Sequence, residues 1–401
     1  MLKKLCIFTF LFFTISVSYA QSWIPLPDFP GTERDDACLF VIGNKAYCGS
    51  GFLPWFAPSN DFYALNFDGE TWSPIASMPA GSERQYACGF SDGHYGYVFG
   101  GLTGTTYLND LYRYDTLTNS WDTLASLPDT GRAGSSCFVI NDTAYIVGGK
   151  NSVIAATNEV WAYAILTNTW TQKSNLPNNG RWRAGATSVN GKGYLVSGRD
   201  KNGYFCHQLY QYNPSADAWT HISNFGGNGR NYIGFTALYN NLYLVAGIDS
   251  LNTYYNDFYT YDVSANTWGT LTPIPSAARK GGLCFSSQNS IYYTTGINAS
   301  NTRLKETWRI YNPTGIHEQN AEISITLYPN PASTNLTIST PFHQFHVKIF
   351  ASTGQTVYSF GNTGHSTSID VSSLKTGLYN IYISDGKNTI TKKLIINPQN
   401  E

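Results

Sequence analysis

Six tryptophans stand at equal intervals along this chain. They are Trp23, Trp72, Trp121, Trp170, Trp219 and Trp268, each 49 residues after the last. A sequence period near fifty that carries short strand patterns marks a supersecondary unit repeated as a stack, because one unit alone cannot bury its apolar face. Among closed all-β architectures, the β-propeller is built from blades of this length. The composition agrees. Charged residues are 13% and aromatics 15% of the chain, with 37 glycines, which suits short strands joined by tight turns.

Three further positions recur with the tryptophan. Each repeat has an arginine (Arg34, Arg84, Arg132, Arg181, Arg230, Arg279) and, 13 residues later, a tyrosine (Tyr47, Tyr97, Tyr145, Tyr194, Tyr243, Tyr292). A small pair ending in glycine follows, at Gly51, Gly101, Gly149, Gly198, Gly247 and Gly296. Apolar runs around a two-residue turn, as in CFVI-ND-TAYIVGG, predict a hairpin of strands a and b. Aromatic runs such as NDLYRYD and NDFYTYD predict strand c, and the tryptophan opens strand d.

The small-glycine pair, the strand-c aromatic and the strand-d tryptophan resemble the kelch repeat over residues 22–312. Only Gly100-Gly101 and Gly148-Gly149 are true double glycines; elsewhere the first member is Ser50, Ser197, Ala246 or Thr295. The glycine kept in every repeat predicts a backbone conformation or close approach that a Cβ would hinder. Trp23 precedes any strand a, b or c, and the next position on the period after Trp268 is His317. The N-terminal strand is therefore expected to supply strand d of the last blade. The expectation is an all-β chain with a six-bladed kelch-type propeller over 21–312, closed by its N-terminal strand.

The ends carry addresses. Lys3 and Lys4, the apolar run Leu5 to Val17 and Ser18-Tyr19-Ala20 read as a signal peptide over 1–20. No later stretch is long and apolar enough to span a bilayer as a helix. Residues 313–321 are a polar linker. Over 322–401, seven short alternating strands suggest an immunoglobulin-like sandwich. That tail resembles the type A C-terminal sorting domain of the type IX secretion system of Bacteroidota. The matching residues are Leu327-Tyr328-Pro329-Asn330-Pro331 with Leu336-Thr337-Ile338, Ile349-Phe350-Ala351-Ser352-Thr353-Gly354, Leu374-Lys375-Thr376-Gly377-Leu378-Tyr379, and Gly386 with Lys392-Lys393-Leu394-Ile395-Ile396. The resemblance implies type IX secretion machinery as a partner and a secreted or outer-surface destination.

In a four-stranded blade the d–a and b–c connections share one face, and the arginines and glycines fall on it. The b–c loops are the longer ones, so ligand binding is expected there. The arginines Arg34, Arg84, Arg132, Arg181, Arg230 and Arg279 can bind an anion or serve the blade by pairing with neighbouring acids, of which Glu33, Asp35, Asp36 and Glu83 are candidates. Arg183, Lys150 and Arg199 fall off the repeat pattern and are the better ligand-binding candidates. Trp55, Phe56, Trp182, Tyr204, Phe205, Tyr254 and Tyr255 on the same face suit stacking on sugar rings or a protein interface.

Several chemistries are set aside. A net charge of −1 gives no field for nucleic acid. After Cys6 leaves with the signal peptide, Cys38, Cys48, Cys88, Cys137, Cys206 and Cys284 show no CxxC or Cys/His cluster, so no metal site is expected. Cys38 and Cys48 flank one hairpin turn, which leaves a cross-strand disulfide open. Some kelch-like propellers are copper radical oxidases; His207 and His221 make no ligand set for copper here. No cofactor is expected. The leading expectation is a binding module for a glycan or protein ligand. The alternative, by resemblance to a six-bladed kelch sialic acid epimerase, is a sugar-acid epimerase or mutarotase using Glu33 or Glu83, with Arg84 holding a carboxylate.

Overall fold

A computed structural model of the chain describes residues 22–287, 289–311, 313, 325–340, 342, 344–351, 355–385 and 389–397. The segment read as a signal peptide, nearly all of the linker, Ser352-Thr353-Gly354 and Gly386 lie outside them. The chain divides into two compact units, Met1–Gly315 and Ile316–Glu401. Every regular element among the described residues is a strand.

The first unit is a propeller of six antiparallel blades, each with strands a to d, the fifth carrying Arg230–Asn231 as an additional short strand. Blade 1 comprises Cys38–Ile42, Lys45–Gly49, Phe62–Asn66 and Thr71–Pro74, and the next four repeat that order of strands a to d. Blade 6 has Leu283–Ser287, Ser290–Thr294 and Thr307–Tyr311 as strands a to c, and its fourth strand is Trp23–Leu26. Trp23 pairs with Ile310 and Leu26 with Thr307. The chain start thus covers the edge that strand c of the last blade would expose.

Within a blade, strand alternation turns one aromatic from strand a onto the repeat tyrosine of strand b. Phe40–Tyr47, Phe90–Tyr97, Phe138–Tyr145 and Phe285–Tyr292 stack with centroids 4.9–5.2 Å apart. The small-glycine pair is left-handed throughout. Its first residue has φ of 52–66° and its second 89–108°. An L residue can visit the first of these conformations but not readily the second. That difference explains why Ser, Ala or Thr replaces the first glycine and nothing replaces the second.

The tryptophans staple neighbouring blades. The indole N–H of Trp72 donates to Pro27 O, Trp121 to Ala76 O, Trp170 to Ala125 O and Trp219 to Ser174 O, at 2.8–3.3 Å and always 45 residues back. Trp23 makes the same bond across the closure, to Thr272 O at 2.9 Å. Trp268 alone among the six leaves its buried N–H without a partner. The blade it faces carries a register shift at Leu209/Tyr210 opposite its strand d.

The six described cysteines are free thiols. The register pairs Cys38 with Gly49 and Leu39 with Cys48, so the two thiols project to opposite faces of the hairpin and no bridge joins them. Burial pushes both thiols well above their ordinary pKa.

The second unit is a small sandwich of two antiparallel sheets. One contains Thr326–Tyr328, Asn335–Ser339 and Ser366–Asp370; the other contains Thr356–Thr363, Gln344–Ala351, Gly377–Ser384 and Thr389–Ile396. Leu336, Ile338, Val347, Ile349, Ile381, Ile383 and Leu394 fill its core. The Asn330 side chain donates to Lys393 O and accepts from Ile395 N, both at 2.9 Å. The first and last sequence motifs of the tail are therefore one structural feature.

Replacing Trp121 by Phe removes a packed indole and its inter-blade hydrogen bond, whereas Trp268→Phe removes only the indole bulk and an unpaired N–H. The first variant should lose roughly 1 kcal/mol more than the second. Urea denaturation of the two variants checks this; equal losses would show that the indole N–H bonds are not what holds neighbouring blades.

Candidate functional site

The six repeat arginines begin each blade at the d–a loop. Each is 0–2% exposed, so its charge needs a partner. Arg34 grips both oxygens of Asp61 at 2.6 and 2.9 Å and donates to Ser50 O at 2.8 Å. Arg84 repeats this with Asp110 at 2.7 and 2.9 Å and Gly100 O at 2.9 Å. Arg132 pairs with Asp129 and Glu159, Arg230 with Asp257, and Arg279 with Glu306, at 2.6–2.9 Å. Arg181 has Gln208 instead, at 3.0 Å. The partners Asp61, Asp110, Glu159, Gln208, Asp257 and Glu306 are themselves 49 residues apart, at or just before the start of strand c in four blades and inside the longer strand c of blades 2 and 5.

Two expectations are corrected here. The arginines are buried and taken up by partners within their own blades; Arg34, Arg84, Arg230 and Arg279 tie the d–a loop, the end of strand b and strand c into one joint. Their partners are not Glu33, Asp35, Asp36 or Glu83. Asp35 instead pairs with Arg303 at 2.6 Å and Asp36 with Arg183. Glu33 and Glu83 are half-buried.

Two residues after each arginine, the chain turns left-handed at Asp36, Tyr86, Gly134, Arg183, Tyr232 and Gly281, with φ of 54–67°. Their backbones form a closed ring. Tyr86 N donates to Asp36 O, Gly134 N to Tyr86 O, Arg183 N to Gly134 O, Tyr232 N to Arg183 O, Gly281 N to Tyr232 O and Asp36 N to Gly281 O, at 2.8–3.1 Å. Arg183 therefore lies on the repeat pattern, contrary to expectation. It occupies a position whose backbone is fixed and whose side chain varies from blade to blade.

The four side chains of this ring gather at its centre. Arg183 bonds Asp36, and its guanidinium lies 5.0 Å from the Tyr86 ring and 4.3 Å from the Tyr232 ring, which pack edge-on against each other at 6.2 Å. Trp182 packs edge-on against Tyr232 at 5.3 Å and Tyr86 at 6.2 Å. The two glycines make room for this. A Cβ at Gly134 would lie 2.4 Å from Trp182 Nε1, and one at Gly281 would lie 2.8 Å from an Asp36 oxygen. Beneath the cluster is a cavity of about 180 Å³ whose lining includes Arg183, Tyr232, Ser135 and Cys137.

The flanking cations lie on aromatic faces. Lys150 is 5.8 Å from the Trp182 ring, and Lys280 is 5.0 Å from Tyr232 and 5.6 Å from Tyr254. Of the candidates read from the sequence, the structure brings Arg183, Trp182, Lys150 and, through Lys280, Tyr254 together. Arg199 stays in its own loop, over Phe205 at 5.6 Å and bonded to Gly203 O. Trp55 and Tyr204 stand 62% and 71% exposed on b–c loops. Tyr86, Tyr232, Asp36 and Lys280 were missed as a group. The available signal was their fixed offset from the repeat arginine.

The electrostatics follow from burial. Desolvation raises the Asp36 pKa from 3.8 to about 7; Arg183 opposes the rise, and Asp35 adds to it. The Asp36 charge and burial push the Tyr86 phenol far above its usual range, and burial followed by Asp36 does the same to Tyr232. Among the described residues no cluster of His, Cys, Asp and Glu suits a metal ion.

A six-bladed propeller with arginine–carboxylate joints, small-glycine turns and tryptophan staples, followed by a seven-stranded sandwich, is the class of protein this geometry defines. The chain belongs to the kelch-repeat family: the KLHDC2/KLHL20/DRC7 Kelch-repeats domain matches residues 36–247, and the Kelch motif matches residues 229–274. The tail is a secretion system C-terminal sorting domain, matched over residues 326–397, of the type IX kind. No curated protein matches the chain. Among solved structures, that described as "Structure of YjhT" superposes with a TM-score of 0.62 at 19% identity, covering 70% of this chain and 95% of that one. A likeness at that identity shows the shared fold.

Asp110→Ala leaves Arg84 buried without its carboxylate and should cost about 3–5 kcal/mol of stability; a denaturation midpoint close to wild type would rule out the joint. Asp36 gives a pH signature. Its folded pKa is raised, so the stability it contributes is complete below about pH 4 and is lost as pH rises through about 7. Asp36→Asn should flatten that part of the stability–pH curve. An unchanged curve would show that Asp36 titrates as an ordinary carboxylate.

Proposed function

We propose that the propeller is the binding module of an exported protein, taking a glycan or protein ligand on the face shared by the d–a and b–c loops, with its centre at Arg183. The observation that carries this reading is the ring of left-handed residues. Its backbone is identical in six blades, yet four of its side chains are Asp36, Tyr86, Arg183 and Tyr232. A scaffold position that spends a buried ion pair and two tyrosines where two blades use glycine is doing something the fold does not require. Flat rings at Trp182, Tyr232 and Tyr254 beside Lys150 and Lys280 offer stacking faces with polar groups at the rim. Trp55 and Tyr204 add exposed aromatic area further out on the loops.

The sugar-acid epimerase reading has less support. It needed Arg84 to hold a substrate carboxylate, and Arg84 is occupied by Asp110. A version centred on Arg183 would rely on Tyr86 and Tyr232. Their raised pKa values make them hydrogen-bond donors at neutral pH and poor general bases.

Export depends on the sorting domain, and the secreted or outer-surface destination follows from it. Among the described residues no helix is long and apolar enough to cross a membrane.

Trp182→Ala should weaken ligand capture on a glycan array or in a pull-down at least tenfold, and Trp55→Ala and Tyr204→Ala by less, since central aromatics dominate binding energy. Full retention in all three would move the site off this face. Deleting residues 322–401 should leave a folded propeller held in the periplasm; normal secretion of the truncated chain would refute the sorting role.

A further inference from the structure

Resting on the loop-face reading, we infer that the Arg183 guanidinium is the seat of an oxyanion, the carboxylate or sulfate ester of an acidic saccharide, and that Asp36 holds that seat until the ligand displaces it.

Three observations converge on this. First, the centre has more cations than the fold uses. Lys150 and Lys280 form no ion pair among the described residues, and their neighbours there are the rings of Trp182, Tyr232 and Tyr254. With Arg183 between them, the aromatic floor is bordered by three positive groups. Secondly, the donors at this centre are under-used. Arg183 Nε and Trp182 Nε1 are buried without any acceptor, and both side chains lie over the gap left by Gly134. Leaving buried donors unpaired is costly, so the closed arrangement is one that a richer acceptor can improve on. Thirdly, the one carboxylate that touches Arg183 is poorly held. Asp36 is 3% exposed, sits on a left-handed backbone and has Asp35 beside it.

The groups facing Asp36 are Arg183, Lys280, Tyr86, Tyr232 and the like-charged Asp35, which Arg303 partly neutralises. Once a ligand oxyanion takes the guanidinium, Asp36 keeps its burial and loses its main counter-charge. It then takes up a proton. The balance is ligand anion plus Asp36 carboxylate on Arg183 plus one proton, giving ligand anion on Arg183 plus the neutral Asp36 acid. The raised pKa of Asp36, about 7, places this exchange within the neutral range. The aromatic faces favour a sugar ring as the carrier of the anion, because they stack on its flat apolar side while its hydroxyls remain at the rim.

The test is calorimetry on the secreted protein with polygalacturonate, dextran sulfate, neutral dextran and polyglutamate as probes, at pH 6 and pH 8. An acidic saccharide should bind and neutral dextran should not, with affinity falling about tenfold per pH unit above 7 as the proton becomes dearer. Repeating the titration in two buffers of different ionisation enthalpy should show close to one proton taken up at pH 8 and almost none at pH 6, where Asp36 is already neutral. Asp36→Asn, which a left-handed position tolerates, should bind more tightly, with no pH slope and no proton uptake. Arg183→Lys should lose binding at least tenfold, because a point charge cannot replace the planar fork. Equal binding of neutral dextran, with sensitivity to Trp182→Ala, would leave the loop-face site standing and overturn the oxyanion seat. Polyglutamate binding as tightly as the acidic saccharides, or a wild-type pH slope retained in Asp36→Asn, would also overturn it. Failure of every saccharide to bind would overturn the glycan reading and the inference together.

Discussion

A buried guanidinium has to be neutralised where it lies, and this propeller buries one at the root of every blade. Five of the six have a carboxylate from the same repeat position on or next to strand c, and Arg181 has the amide oxygen of Gln208. Four of the six also reach back to the carbonyl of the first small residue of the pair: Arg34 to Ser50, Arg84 to Gly100, Arg230 to Ala246 and Arg279 to Thr295. One side chain therefore fixes the d–a loop, the exit of strand b and the entry of strand c. Without that joint the loop face would have no fixed geometry, and neither the left-handed ring nor the loops above it would be positioned. Burial makes the joint strong as a specification of geometry, though a buried ion pair contributes little net stability over a well-packed apolar substitute.

The architecture was legible in the sequence because its constraints fall on single residue types. An indole that must reach a carbonyl 45 residues back, a glycine at φ near 100° and a tyrosine stacked on a strand-a phenylalanine each admit few substitutes. Their spacing gave the blade count, and the absence of a tryptophan at His317 placed the closing strand. The arginine partners were harder to see. Asp, Glu and Gln alternate at that position, so the period is carried by a function, hydrogen-bond acceptance, and not by a letter. The nearest acids in sequence, Glu33 and Asp35, are neighbours in the chain but not in the joint.

The candidate site was legible only in part, and for a related reason. Arg183 and Trp182 stood out as charge and aromatic surplus, and both lie in the cluster at the ring's centre. Their partners did not stand out. Asp36, Tyr86 and Tyr232 come from blades 1, 2 and 5, and only ring closure brings them to Arg183. The position they share is defined by a backbone conformation that glycine, aspartate, tyrosine and arginine all adopt here. Conformation of this kind leaves no residue-type signature, so the sequence showed the separate parts of the site but not their convergence.

The ring also explains how a highly repetitive scaffold can carry an asymmetric site. Six hydrogen bonds between left-handed backbones hold the centre at 2.8–3.1 Å regardless of side chain, so side chains at those six positions are free of folding duties. Two are glycine, and the space they leave admits Trp182 and Asp36. The remaining four place a cation, an anion and two phenols within contact of one another. A strained backbone position ordinarily restricts residue choice. Here the strain is repeated in all six blades and offset by the closed hydrogen-bond circuit, so it serves as a socket. The asymmetry of the site follows from which blades fill their sockets. Blades 3 and 6 have no side chain of their own there, at Gly134 and Gly281, and Lys150 and Lys280 approach from those same blades. The cations that border the centre therefore come from the two blades whose glycines give Trp182 and Asp36 their room.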